Sequence, residues 1–188
     1  MFQPLLGIRE RKMNYAEIKR YDIANGPGVR VSLFVSGCRH RCEDCFNEIA
    51  WDFSYGKEFT EDVQEMLLGY ISSPQIKGIT ILGGEPFEVE NQRGLLPFVK
   101  KVRESFPEKT VWCFSGFTYE QLCGKEKSRA RCEVTDELLS LIDVLVDGRY
   151  EKEKSNIMLR FRGSENQRLI DMNKTRECGE VVLWEDDN

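Results

Sequence analysis

Apolar residues fall along this chain in short blocks separated by polar turns, and their spacing switches between strand-like and helix-like. Arg30 to Ser36 is β-branched and apolar enough for a buried strand. It follows Asn25-Gly26-Pro27-Gly28, a turn by composition, with two glycines free to take positive φ and a proline fixing the bend. Trp51 to Phe59 reads as irregular. Thr60 then has the position of an N-cap, with Glu61 and Asp62 in the first turn of a helix through Val63, Met66, Leu67 and Tyr70. Gly78 to Leu82 predicts a second strand, ending in Gly83-Gly84-Glu85-Pro86. Leu95, Leu96, Val99, Val102 and Phe106 recur at helical spacing, which predicts a helix over Leu95–Phe106 with Pro97 tolerable only in its first turn. Thr110 to Ser115 predicts a third strand, Phe117 to Cys123 a short helix, and Gly124 to Arg131 a basic, polar loop. Asp136 to Leu141 reads as helix and Val144 to Val146 as a fourth strand closing at Asp147-Gly148. After the charged connection Tyr150 to Ser155, residues 156–170 and Glu180 to Trp184 contribute one or two further strands.

Strand and helix thus alternate about four times. Parallel neighbours need a crossover of helical length, so the pattern predicts an α/β fold with a mostly parallel sheet. At 188 residues the chain is too short for a closed eight-fold barrel of about 250 residues. A partial, open βα barrel is therefore the expected architecture. Its domain spans residues 13–170, with a weakly ordered extension over 1–12 and a C-terminal extension over 171–188 that adds one strand at most. Ligands in such folds sit at the carboxyl ends of the strands. Four predicted strand ends carry suggestive residues: a cysteine loop after the first, Gly83-Gly84-Glu85-Pro86 after the second, Ser115-Gly116 after the third and Asp147-Gly148 after the fourth.

Composition narrows the partners. Net charge is −5 without a polybasic block, so electrostatics give no reason to propose nucleic acid. No run approaches the roughly 20 apolar residues needed to cross a bilayer, and Arg9, Arg11 and Lys12 follow the first apolar residues in the reverse order to a secretory signal. Seven cysteines is an odd number, and three of them share one loop. That reads as a reducing compartment rather than a disulfide framework. A cytoplasmic protein with neither membrane nor nucleic acid as partner is expected.

The three-cysteine loop is the strongest chemical feature. Cys38, Cys42 and Cys45 stand at C-x3-C-x2-C spacing, the next cysteine is Cys113, and His40 is the only histidine. A structural zinc site wants four closed ligands. Three thiolates without an evident fourth fit better a 4Fe–4S cluster with one iron left open, since such clusters are ordinarily tied by four. Zinc completed by His40 or a distant cysteine stays the alternative. Gly83-Gly84 would let backbone approach a ligand, with N–H or C=O groups for a carboxylate and an ammonium, and Glu85 would attract the ammonium. An ordinary tight turn explains the same pair. Asp147 holds either a cation or ribose hydroxyls, or else caps a turn. Ser115 offers a single hydroxyl. His40, flanked by Arg39 and Arg41, is disfavoured as a charged base and is expected to be solvated or to face a protein partner. The two arginines would offset the charge of a thiolate-ligated cluster. Cys113, between Trp112 and Phe114, reads as core, and Cys123, Cys132 and Cys178 as incidental thiols.

With Phe46 beside its last cysteine, the loop resembles the signature of radical S-adenosylmethionine (AdoMet) enzymes. Asn25-Gly26-Pro27-Gly28-Val29-Arg30 and Arg162-Gly163-Ser164-Glu165-Asn166-Gln167-Arg168 resemble, more narrowly, the activating proteins of anaerobic ribonucleoside-triphosphate reductase. The similarity runs from about Met13, where members of that family begin, to about Ile170. It implies a cluster on Cys38, Cys42 and Cys45 whose open iron chelates AdoMet. It further implies an AdoMet site drawn from Asp44, Cys45, Phe46, Gly83, Gly84, Glu85, Ser115 and Asp147, and an electron donor such as flavodoxin or ferredoxin. The implied reaction is reductive cleavage of AdoMet to a radical that takes hydrogen from a backbone glycine of the large reductase subunit. A pyruvate formate-lyase type activase and a simple electron carrier are the rival readings.

Overall fold

A computed structural model describes residues 12–185. The expectation of a weakly ordered N-terminal extension falls almost entirely outside the described residues. The chain runs β1 (Asn14–Asp22), β2 (Val29–Val35), β3 (Lys57–Glu58), α1 (Glu61–Ile71), β4 (Ile76–Gly83), α2 (Val89–Ser105), β5 (Thr110–Phe114), α3 (Tyr119–Leu122), α4 (Thr135–Ser140), β6 (Val144–Asp147), β7 (Arg168–Asp171) and α5 (Met172–Cys178). The strands form one sheet in the order β3-β1-β2-β4-β5-β6-β7. Its four central strands, β2, β4, β5 and β6, are parallel. β1 and β7 flank them antiparallel, and β3 adds a second antiparallel edge beyond β1.

Each central strand matches the sequence reading within a few residues. Three other segments do not. No strand is expected over β1, because Glu17, Lys19 and Arg20 leave few apolar positions; its Tyr15 and Ile18 nevertheless pack on the core. α2 starts six residues before Leu95, so Pro97 lies inside the helix rather than in its first turn. The early turn was hidden because Asn91 and Gln92 are buried polar residues held by side-chain bonds rather than by an apolar stripe. The C-terminal stretch forms α5, which packs on the sheet through Met172, and its sole bridge to a strand runs from Leu183 to Ile170 among the described residues.

Successive residues of a strand point to opposite sides of the sheet, and the two sides differ. Val31, Leu33, Val35, Ile79, Ile81, Val111, Cys113, Leu145 and Ile170 join one apolar cluster with residues of all five helices, including Leu67, Leu95, Val99, Leu122, Leu138 and Met172. The helices therefore cover one face. The opposite face carries Arg30, Ser32, Thr80, Trp112, Val144 and Val146. Part of it is closed by the ring cluster of Trp112, Phe161 and Trp184. The Arg30 guanidinium is buried there, donating to Thr80 Oγ1 at 2.7 Å and to the carbonyls of Ile79 and Thr110 at 2.8 and 2.9 Å. Its cationic end also lies over the Trp112 ring. What stays open on this face is the carboxyl end.

Candidate functional site

β2 delivers the chain into the cysteine loop, and neighbouring backbone fixes how the loop leaves. Gly37 and Cys38 N–H groups donate to the carbonyls of Ala50 and Trp51 at 2.8 and 3.1 Å. Gly37 has φ +98, and a Cβ there would fall 2.2 Å from the Phe53 ring, so only glycine fits. Arg41 and Asp44 adopt φ near +50 and +52, which curls the loop on itself. The turn after β4 locks to it: Gly84 N–H donates to Val35 O at 2.7 Å and Glu85 N–H to Gly37 O at 2.9 Å. Buried Asn91 ties both segments, donating to the carbonyls of Ser36 and Glu85.

These loops enclose a cavity of about 460 Å³ at the carboxyl end of the parallel strands. Cys38, Cys42 and Cys45 line it together with Asp44, Phe46, Gly83, Gly84, Glu85 and Ser115. Residues from three of the predicted strand ends, with Gly148 from the fourth, thus meet around one space. Burial, reinforced by the nearby Glu85 charge, pushes the Cys38 thiol up to about 12, so loading a metal there releases a proton. Cys113 is buried under the helices, and Cys113, Cys123, Cys132 and Cys178 are absent from the lining.

The geometry revises several of these readings. Asp147 does not line the cavity: its buried carboxylate takes Arg168 at 2.5 Å and the Tyr119 N–H at 2.7 Å, which is the turn-capping reading. Gly84 must be glycine for packing as well, because a Cβ would stand 2.6 Å from the Gly37 carbonyl oxygen. With the Gly84 and Glu85 N–H groups already used, the turn offers carbonyls and not donors. Glu85 is fully buried and committed: Oε1 accepts from Phe87 N–H and Ser115 O–H, and Oε2 from Gly116 N–H, at 2.7–2.9 Å. It is an internal anchor. His40 is not solvated, since its side chain is 8% exposed and its Nε2 lies 3.0 Å from Glu85 Oε2. Arg39 is likewise spent, on Glu88 and Glu90 at 2.5 and 2.6 Å.

The Arg162–Arg168 stretch, whose chemistry residue types left unassigned, builds the far wall. Gln167 Oε1 accepts from the N–H groups of Gly163 and Ser164, and its Nε2 donates to Gly148 O at the end of β6. Arg162, Gly163 and Gln167 line the cavity, with Tyr150, Ile157, Leu159 and Phe161 beside them. This wall is strapped to the cysteine loop by Arg149, which donates to His40 O at 2.5 Å, and by Lys152, which pairs with Asp44 at 2.8 Å. Sequence reasoning missed Asn91 and Trp51, and it marked this wall only through the resemblance of Arg162–Arg168, without a role. The one available signal was the pair of polar residues, Asn91 and Gln92, directly before the apolar stripe of α2.

Among the described residues, no three cysteine, histidine or carboxylate side chains converge on a single metal-ion position. A cubane spreads its thiolates over different iron atoms, and three free thiols around one cavity fit it. In agreement, the sequence model of the family described as a 4Fe-4S single cluster domain matches residues 24–170. Fold and site together define an iron–sulfur protein of α/β architecture. The anaerobic ribonucleoside-triphosphate reductase-activating protein of Pasteurella multocida is 40% identical over 157 residues, covering 82% of this chain and 95% of that protein. The counterpart from Enterobacteria phage T4 is 39% identical, covering 84% and 93%. That from Escherichia coli K12 is 36% identical, covering 82% and 96%. This chain belongs to the family of anaerobic ribonucleoside-triphosphate reductase-activating proteins.

Proposed function

We propose that the chain activates anaerobic ribonucleoside-triphosphate reductase as a radical AdoMet enzyme, within a partial βα barrel. The observation carrying this reading is one cavity, at the carboxyl ends of parallel strands, that gathers three thiols and a Gly-Gly turn. Helices on one face only are what a partial barrel requires. When bound, the cluster and AdoMet supply electron transfer, cleavage of the sulfonium and a radical able to take hydrogen from a glycine of the partner.

The chain's own residues do the remainder. Cys38, Cys42 and Cys45 would hold the cluster at the cavity wall. The Gly84 carbonyl, which accepts no bond among the described residues, is free for the AdoMet ammonium. Ser115 acts through Glu85 by fixing its carboxylate, rather than on AdoMet. Asp44, Cys45 and Phe46 form the adjoining wall. Phe46 and Ile157 line the cavity yet are 80% and 97% exposed, an apolar rim suited to a protein partner. An external one-electron donor of flavodoxin or ferredoxin type completes the reaction, and no helix of the described residues is long and apolar enough to cross a membrane.

The test is anaerobic reconstitution with iron and sulfide, then reduction with AdoMet and the partner reductase present. The reading expects 5′-deoxyadenosine and a glycyl radical signal on the reductase, lost when that partner glycine is replaced by alanine. Cleavage of AdoMet without any radical on the reductase would overturn it.

A further inference from the structure

His40 lies midway between Cys38 and Cys42, and its side chain is almost wholly buried. Three strand ends hold it. At the end of β4, Glu85 Oε2 faces its Nε2 at 3.0 Å. At the end of β5, its ring stands edge-on to Phe117 with centroids 4.4 Å apart. It also rests on Gly116 so closely that a Cβ there would come within 2.7 Å of Cδ2 and Nε2. At the end of β6, Arg149 grips its main-chain carbonyl at 2.5 Å. In the described geometry Nε2 makes no well-aligned hydrogen bond. The contact with Glu85 therefore lies at hydrogen-bonding distance but out of line.

We propose that His40 is a positioning residue: it keys the three-cysteine loop to the Glu85 anchor, so that the open iron and the Gly84 carbonyl keep one fixed separation. Glu85 suits the role because three other donors already hold its carboxylate in place. A ligand spanning the iron and the turn is bound well only if that separation is preset, since a loose loop must be ordered at the ligand's expense. The inference rests on the AdoMet reading above.

The test uses His40→Ala, His40→Gln and Gly116→Ala in the full-length chain, reconstituted anaerobically. Iron per chain and the equilibrium dissociation constant for AdoMet are read separately. His40→Ala should retain iron, because all three thiols remain, yet weaken AdoMet binding about tenfold, the equivalent of about 1.4 kcal/mol. His40→Gln, which keeps a side-chain N–H near Glu85, should recover most of that loss. Gly116→Ala leaves the loop sequence intact but displaces the ring, and should weaken binding similarly. The double variant should be no worse than the worse single one, as expected of residues acting through one contact. Unchanged affinity in His40→Ala, no recovery by glutamine, or additive losses would overturn the inference.

A second readout needs neither cluster nor AdoMet. In metal-free protein the Cys38 thiol should be alkylated several-fold faster in His40→Ala than in the parent chain. An unaltered rate also overturns the inference. If the parent chain itself binds no AdoMet, the AdoMet reading fails, and the alkylation rate alone decides the role of His40.

Discussion

The four parallel strands show two unlike faces. On the helix side, Val31, Leu33, Val35, Ile79, Ile81, Val111, Cys113 and Leu145 interlock with helices through apolar contact. On the cavity side the same strands carry Arg30, Ser32, Thr80 and Trp112, and at their ends come Glu85, Ser115 and Asp147. Burial on the first face is non-directional and roughly proportional to area, so many side chains of similar volume serve. Polar groups on the second face are matched one by one, and removing one leaves its partner unpaired. The helix face therefore holds the fold together, while the cavity face dictates particular residues.

The largest expected contrast lies between cysteines on the two sides. Alanine at Cys38, Cys42 or Cys45 should abolish cluster assembly, read as iron and sulfide per chain. Cys113→Ala, under the helices, should keep full iron content and lose only stability. Next come two buried residues on opposite faces. Arg30→Met removes a guanidinium that pairs Thr80 and two carbonyls and should cost about 3 kcal/mol in chemical denaturation. Ile81→Val, on the helix face, should cost about 1 kcal/mol.

Glycines sharpen the same comparison. Gly84→Ala forces a Cβ to 2.6 Å from the Gly37 oxygen and should cost about 2 kcal/mol, with iron content falling because the cysteine loop shifts. Gly69→Ala, inside α1 with nothing within 4 Å of the added Cβ, should stabilise by about 0.5–1 kcal/mol. The smallest effect concerns acid. The Arg168 guanidinium holds the Glu120 carboxyl below its ordinary value of 4.5. Its contribution is present above that value and is lost as pH falls through the lower folded one. Glu120→Gln should flatten the acid limb of the stability curve below about pH 4.5 by about 0.5 kcal/mol, allowing for solvent around the pair.

These differences explain what could be read from the sequence. Helix-side strands announced themselves because β-branched runs such as Val31 to Val35 and Ile79 to Leu82 are legible from period and composition. The cysteine loop was legible because three thiols at that spacing have few other uses. Asp147, Glu85 and His40 were hard to place for one shared reason. A polar residue at a strand end has the same local signature whether it faces a ligand or an internal partner, and the partner lies far along the chain. Arg168 is the partner of Asp147, and Ser115 that of Glu85. β1 and the first turn of α2 escaped notice because their burial is polar or one-sided. The far wall was marked only by resemblance, because its Gln167 contacts depend on the whole sheet being in place.

The central claim is that three thiolates hold the cluster and the fourth iron faces the cavity. Mössbauer spectra of the 57Fe-reconstituted protein, with and without AdoMet, test it most directly. The account predicts that AdoMet alters one iron site of the four and leaves three unchanged. Four iron sites that stay alike when AdoMet is added would contradict it.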